Sequence, residues 1–246
     1  LMMARRADSL PSSPVERRAD SEQKLLDVPL VQALPRRVRA AVVDRTRFRP
    51  FRRGDVAAWE GVALGHLPIV IDGFLKLSVR RLDGRSKVMG VVGPGASPCW
   101  SDAITGRPLP ASLVGLQEGV VAELPLGPIQ YGVTAHARFA FMYAEELARW
   151  TTSLQEQLVS TRAASVPERL AGLLGYLIDH CGDPKTGEIP VNLSRQELAE
   201  AAGTTAETTI RLLRKWEKAG QVEKTAAGGL RIPDRQWLQR MTDGAD

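Results

Sequence analysis

Apolar side chains recur along this chain in two rhythms, and the change between them divides it. In segments 51–61, 69–79 and 83–95, Val70, Leu75, Leu77 and Val79 combine short apolar runs with alternation. Gly54, Gly61, Gly73, Gly84 and Gly93 fall between those runs at intervals suited to turns, which predicts a domain of short β-strands. From Thr134 to about Thr161 there is no Pro or Gly. Here Tyr143, Leu147, Trp150, Leu154 and Leu158 keep a spacing of three or four, which predicts one long helix. Phe139, Phe141 and Met142 give that helix a second apolar group able to face the β domain. A helix serving two surfaces predicts a dimer axis, with Tyr143, Leu147, Trp150, Leu154 and Leu158 as its seam. Residues 162–166 then read as a hinge, and Pro167 opens the next helix, which runs through Cys181.

The helical rhythm shortens again over residues 194–219. Ser194 with Glu197 three positions on has the spacing of a capping box, and Gly203 supplies the backbone freedom to end the first helix. Thr205 caps a second helix whose buried stripe is Thr209, Leu212, Leu213 and Trp216. Thr204, Ala206, Glu207, Ile210, Arg211 and Arg214 are left facing outward. A helix-turn-helix presents the start of its second helix to the major groove. There Glu207 can accept from cytosine N4, and Arg211, one turn on, can bind guanine O6 and N7. The plain alternative is a solvated i,i+4 ion pair on an ordinary helical hairpin. Residues 221–225 and 230–232, around a turn at 227–229, add a short hairpin directly afterwards, as the wing of a winged helix does.

Charge changes this picture only locally. The chain of 246 residues carries +5 overall, yet from Val166 onward 11 basic residues face 12 acidic ones. A basic balance therefore does not by itself indicate DNA binding, and the field on one face matters instead. Arg195, Arg214, Lys215 and Lys218 surround the second helix and are expected to contact phosphates. The eight arginines between Arg36 and Arg53 read as a solvated surface. Residues 1–22, polar and basic, read as a disordered tail. No run of eighteen apolar residues exists to span a membrane. The two cysteines, Cys99 and Cys181, lie in different predicted domains, which fits a reducing cytoplasm.

The segment LSRQELAEAAGTTAETTIRLLRKWEKAGQVE resembles the DNA-binding part of the Crp/Fnr family of bacterial transcription regulators. The β-strand segments follow the rhythm of that family's N-terminal roll. The resemblance implies an α+β protein with a β-roll of jelly-roll, cyclic-nucleotide-binding-like type at 23–133. A dimerisation helix at 134–162 and a winged helix-turn-helix at 166–243 would follow. It implies that Glu207 and Arg211 read the core of each half-site, helped by Thr204, Thr205 and Ala206. Ala206 stands where the cyclic-AMP receptor branch has an Arg, and Ile210 where the fumarate–nitrate branch often has Ser. The implied partners are double-stranded DNA, a second copy of the chain, RNA polymerase and a small-molecule effector.

Cyclic AMP does not suit that effector role. Relatives that bind it carry a Gly-Glu-Leu segment and then Arg-Ser or Arg-Thr. Here Pro110 and Ala111 occupy the latter positions, and no Glu lies between Gly61 and Glu118. A cyclic phosphate would lack its bidentate partner. An iron–sulfur cluster needs about four thiolates, twice the number present. Haem stays open as a cofactor, with His66, Cys99, His136 and His180 as candidate ligands. So does a small apolar effector lined by Trp100 and Trp150. A gas-sensing regulator of the same fold, and a signalling module acting on a protein partner, are the alternatives. The histidines are too scattered for a metal site of the cupin type, and no nucleophile or phosphate-loop motif occurs, so no enzyme is expected.

Overall fold

Three helices, α1 (Pro14–Leu26), α2 (Pro29–Ala33) and α3 (Arg36–Arg45), precede any strand in the computed structural model. The structure describes residues 14–80, 86–163, 165–226 and 228–242. The expected disordered tail is therefore corrected from Pro14 onward, and residues 1–13 lie outside the described ones. Leu25, Leu30, Val31 and Leu34 are at most 2% exposed and pack beneath Leu67, Ile69 and Leu124 of the strands. Each such burial contributes roughly 1.5–3 kcal/mol. The polar composition that suggested disorder covers the outer side, where Arg18 pairs with Glu22 and Lys24 with Asp20.

The β domain consists of β1 (Arg47–Phe51), β2 (Val56–Ala58), β3 (His66–Asp72), β4 (Leu75–Arg80), β5 (Ser86–Val92), α4 (Trp100–Thr105), β6 (Ser112–Gly115) and β7 (Gly119–Pro125). They form two antiparallel sheets, β1-β7-β3 and β2-β6-β4-β5, closed on each other as the expected roll. Phe51, Val70, Leu75, Val92, Leu113 and Val121 fill the space between the sheets. Gly73 turns β3 into β4 at φ +74°, where a Cβ would stand 2.4 Å from the Glu118 carbonyl oxygen.

The single long helix expected from Thr134 is two helices, α5 (Leu126–Ala135) and α6 (Ala137–Ala163). His136 between them is extended, with φ −133° and ψ 99°. Tertiary packing makes this break, since no Pro or Gly stands there. Gly132 of α5 lies so close to α6 that a Cβ would be 2.9 Å from the Phe139 ring. Ser165 then caps α7 (Val166–Cys181) with a capping box through Glu168.

The C-terminal part is β8 (Glu188–Ile189), α8 (Arg195–Ala202), α9 (Ala206–Lys218), β9 (Glu223–Lys224), β10 (Leu230–Arg231) and α10 (Arg235–Thr242). The wing is three-stranded, in the order β8-β10-β9, with β8 supplied from before the helix-turn-helix. Trp237 of α10 meets Trp216 of α9 edge-on at 5.1 Å. This part is docked on the roll. Phe74, Val91 and Leu116 share one buried cluster with Leu174, Leu198, Ala202 and Trp216.

Candidate DNA interface and effector cavity

The two short helices are set by the local signals in their sequence. Ser194 Oγ accepts from the Glu197 N–H at 3.1 Å, and the Ser194 N–H donates to Glu197 Oε2 at 2.9 Å. Gly203 closes α8 in the left-handed region at φ 64°. Thr205 Oγ1 accepts from the Thr208 N–H at 3.2 Å and caps α9. Arg169 of α7 pins the turn between them, donating to the carbonyls of Ala202 and Gly203. That contact joins positions remote in the chain, so helical spacing carries no signal for it.

Thr209, Leu213 and Trp216 are buried, and Leu212 is half-buried against the same core. The opposite face of α9 exposes Glu207, Arg211, Arg214, Lys215 and Lys218, with Thr204, Ala206 and Ile210 half-buried beside them. The i,i+4 ion pair of the plain alternative is absent: among the described residues neither Glu207 nor Arg211 is engaged in an ion pair or side-chain hydrogen bond. Both charged groups are presented to solvent one turn apart. Thr205 is exposed, but its hydroxyl also donates to Thr208 Oγ1 and is committed to the cap. Arg195 lies 3.5 Å from Glu217, which also holds Lys224 of β9 at 3.2 Å. The positive field there is partly neutralised, and the shared carboxylate anchors the wing to α9. Lys224 was not among the sequence candidates, because only folding brings the wing beside α9.

Two arginines of the 36–53 run make structural contacts while keeping part of their surface in solvent. Arg49 pairs with Glu123 at 2.8 Å. Arg53 reaches across to α8, where Glu197, its side chain 10% exposed, holds Arg53 at 2.5 Å and Lys76 at 2.8 Å. Burial alone would raise the pKa of Glu197. The hydrogen bond and charge of Lys76, with the bonds from Ser194, outweigh it and hold the carboxyl below its ordinary 4.5. The capping glutamate thus also fastens the helix-turn-helix to the roll.

The proposed seam on α6 is divided by the structure. Tyr143 is 3% exposed, packs against Trp100 and Phe139, and donates its hydroxyl to the Trp100 carbonyl at 2.6 Å. Its surface is used within its own protomer, which corrects its place in an intersubunit seam. Leu147 packs partly on the same core. Leu154 is 36% exposed, and Phe141, on another face of α6, is 66% exposed. The side chain of Leu158 lies outside the described residues.

Trp100 and Trp150 line one cavity of about 480 Å³ between β5, the loop before α4, α6 and α7. The candidate haem ligands do not converge. His66 is on β3, His136 follows α5 and His180 is on α7, while burial pushes the Cys99 thiol up to about 12 and keeps it protonated. Among the described residues no group of three His, Cys, Asp or Glu could hold a metal ion. Likewise no helix among them is long and apolar enough to cross a membrane.

A β-roll docked on a winged helix-turn-helix defines a regulator with a sensor-type domain and a DNA-reading domain. Residues 48–131 match the cyclic nucleotide-binding domain family, and residues 168–241 match the Crp-like helix-turn-helix domain family. The chain belongs to the Crp/Fnr family of transcription regulators. It is 23% identical over 203 residues to the CRP-like cAMP-activated global transcriptional regulator of Mycobacterium tuberculosis, covering 82% of this chain and 90% of that protein. Its fold is similar to that of FixK2 from Bradyrhizobium japonicum, with a TM-score of 0.69 and 16% identity over 80% of this chain and 96% of the other. It is also similar to the c-di-GMP responsive global regulator CLP of Xanthomonas campestris, with a TM-score of 0.60 and 19% identity over 79% and 99% of the two chains.

Proposed function

We propose that this protein binds a palindromic DNA operator as a homodimer in the cytoplasm, acts there on RNA polymerase, and answers to an effector other than cyclic AMP, or to none. The observation that carries the reading is the pair Glu207 and Arg211, exposed and unengaged among the described residues one turn apart on α9. Both charges are free to meet base edges without first breaking a contact within the fold. Thr204 and Ala206 flank them, while Arg214, Lys215 and Lys218 are placed for phosphates. The seam is carried by Trp150, Leu154 and Leu158 of α6, below the point where Tyr143 and Leu147 are used by the roll.

Cyclic AMP is disfavoured by the residues present. The roll interior, where the family name implies a nucleotide, is occupied by Phe51, Leu75, Leu109 and Leu113. Arg107, the arginine nearest the positions that fail to match, is exposed on the loop after α4. In-vitro selection of random duplex DNA by the purified protein tests the proposal. A two-fold-symmetric site with half-sites about one helical turn apart is expected. Enrichment of asymmetric sites, or of none, would reject the operator and dimer reading.

A further inference from the structure

Among the described residues, Phe51, Leu75, Leu109 and Leu113 fill the roll interior with apolar side chains, while the cavity outside it has its own chemistry. Its floor is the end of β5 at Val91 and Val92 with Gly93 just beyond it, and its walls are Trp100, Trp150, Tyr176 and His180. A volume of about 480 Å³ is that of an ordinary small-molecule site. The Tyr176 and His180 rings stack at 4.2 Å with 23° between their planes and make one flat wall. Trp150 lies over the bare backbone of β5, its ring 4.0 Å from where a Cβ on Gly90 would stand. Arg149 at the rim is paired with Glu146 at 2.5 Å, so the cavity offers no uncommitted guanidinium for a phosphate. His180 Nδ1 is 3.0 Å from the Tyr176 carbonyl, which can only accept. That contact calls for a proton on Nδ1, the tautomer in which Nε2 is the acceptor.

We propose that this cavity binds a planar, mostly apolar aromatic molecule that carries a hydroxyl or N–H donor and no phosphate. Stacking on Tyr176, His180 and the two tryptophans supplies most of the contact, and the donor meets His180 Nε2. Two of the walls stand on α7, at the head of the DNA-reading part, and the others on the roll and α6. Occupancy therefore bears on how the DNA reader sits against the sensor. That coupling rests on the function proposed above, whereas the binding itself does not.

The test uses the full chain without DNA, titrated by calorimetry with 2-naphthol, indole, 7-hydroxyflavone and cyclic AMP. Saturable binding of at least one aromatic probe is expected, weakened about tenfold or more by Trp150→Ala and by His180→Ala, with no cyclic AMP binding. His180 is exposed, so His180→Ala should melt like the parent, which a thermal scan checks; Trp150 also stands in the proposed seam, so its variant is compared with the parent at the same oligomeric state. Absence of saturable aromatic binding, binding unchanged in both variants, or saturable cyclic AMP binding would each overturn the proposal. A probe that binds as expected should also shift affinity for the selected operator. If it binds but leaves that affinity unchanged, the coupling is overturned, while failure to select any operator would count against the DNA-binding reading alone.

Discussion

Glu197 and Glu207 stand on the two adjoining helices of one helix-turn-helix, and their surroundings give them opposite tasks. Glu197 closes the capping box of α8 and is held by Arg53 and Lys76 from the roll. Glu207 is exposed on α9 and has no partner among the described residues. The first carboxylate has its partners within the fold, so its energy is spent on holding two parts of the protein together. The second retains its full capacity for an outside donor. The same residue type thus makes a structural contact where its charge is matched, and stays available to an outside partner where it is left unmatched.

That contrast can be broken from the structural side first. Trp216→Ala, beneath α9, removes the ring that meets Trp237 and should cost about 3–5 kcal/mol in urea unfolding. A loss below 1 kcal/mol would mean that α9 does not depend on this core. Glu197→Ala should cost about 2 kcal/mol and leave Arg53 and Lys76 facing each other without their shared anion. Limited proteolysis should then cut near residues 163–166 faster than in the parent. Unchanged protection would show that the apolar cluster around Phe74 and Val91 docks the two parts without the ion pairs.

Acid should act in the same direction. The folded pKa of Glu197 is lowered, so its contribution is fully present above the ordinary value of 4.5 and is lost as pH falls through the lower folded value. Stability measured downward from pH 6 should therefore fall less steeply in Glu197→Ala than in the parent. Parallel curves would remove Glu197 from the acid response. Lys218→Ala should give the smallest effect, a slightly weaker affinity for all duplexes and a salt slope flatter by about 1. A loss confined to one sequence would reassign Lys218 to base reading.

What could be read from the sequence follows the range of the interactions involved. The caps at Ser194 and Thr205, the turn at Gly203 and the stripe through Thr209, Leu213 and Trp216 are local. Four-residue spacing is enough to see them. The break at His136 is not local, since it answers to packing of Gly132 on Phe139. Nor is the order in α1, whose buried Leu25 meets strands far along the chain. Strand β8 is two residues long, and it exists because β10 returns to pair with it. The second role of Glu197 was hidden for the same reason. Its cations come from β4 and the loop before β2, Arg53 from within the 36–53 run whose charge reads as surface and Lys76 from a strand remote from α8 in the chain. Trp100 and Trp150 could be named as apolar candidates, but the ring wall of Tyr176 and His180 emerges only when α7 packs beside them.

If the exposed face of α9 reads bases, Arg211→Ala should reveal it. Affinity should be measured for the parent and the variant on the selected operator and on a random duplex, over a series of salt concentrations. A loss of about 1–3 kcal/mol per recognised guanine is expected on the operator, with relaxed preference at that base and a much smaller change on random DNA. Equal losses on both duplexes, with a flatter salt slope, would show that Arg211 contacts phosphate and would contradict the claim.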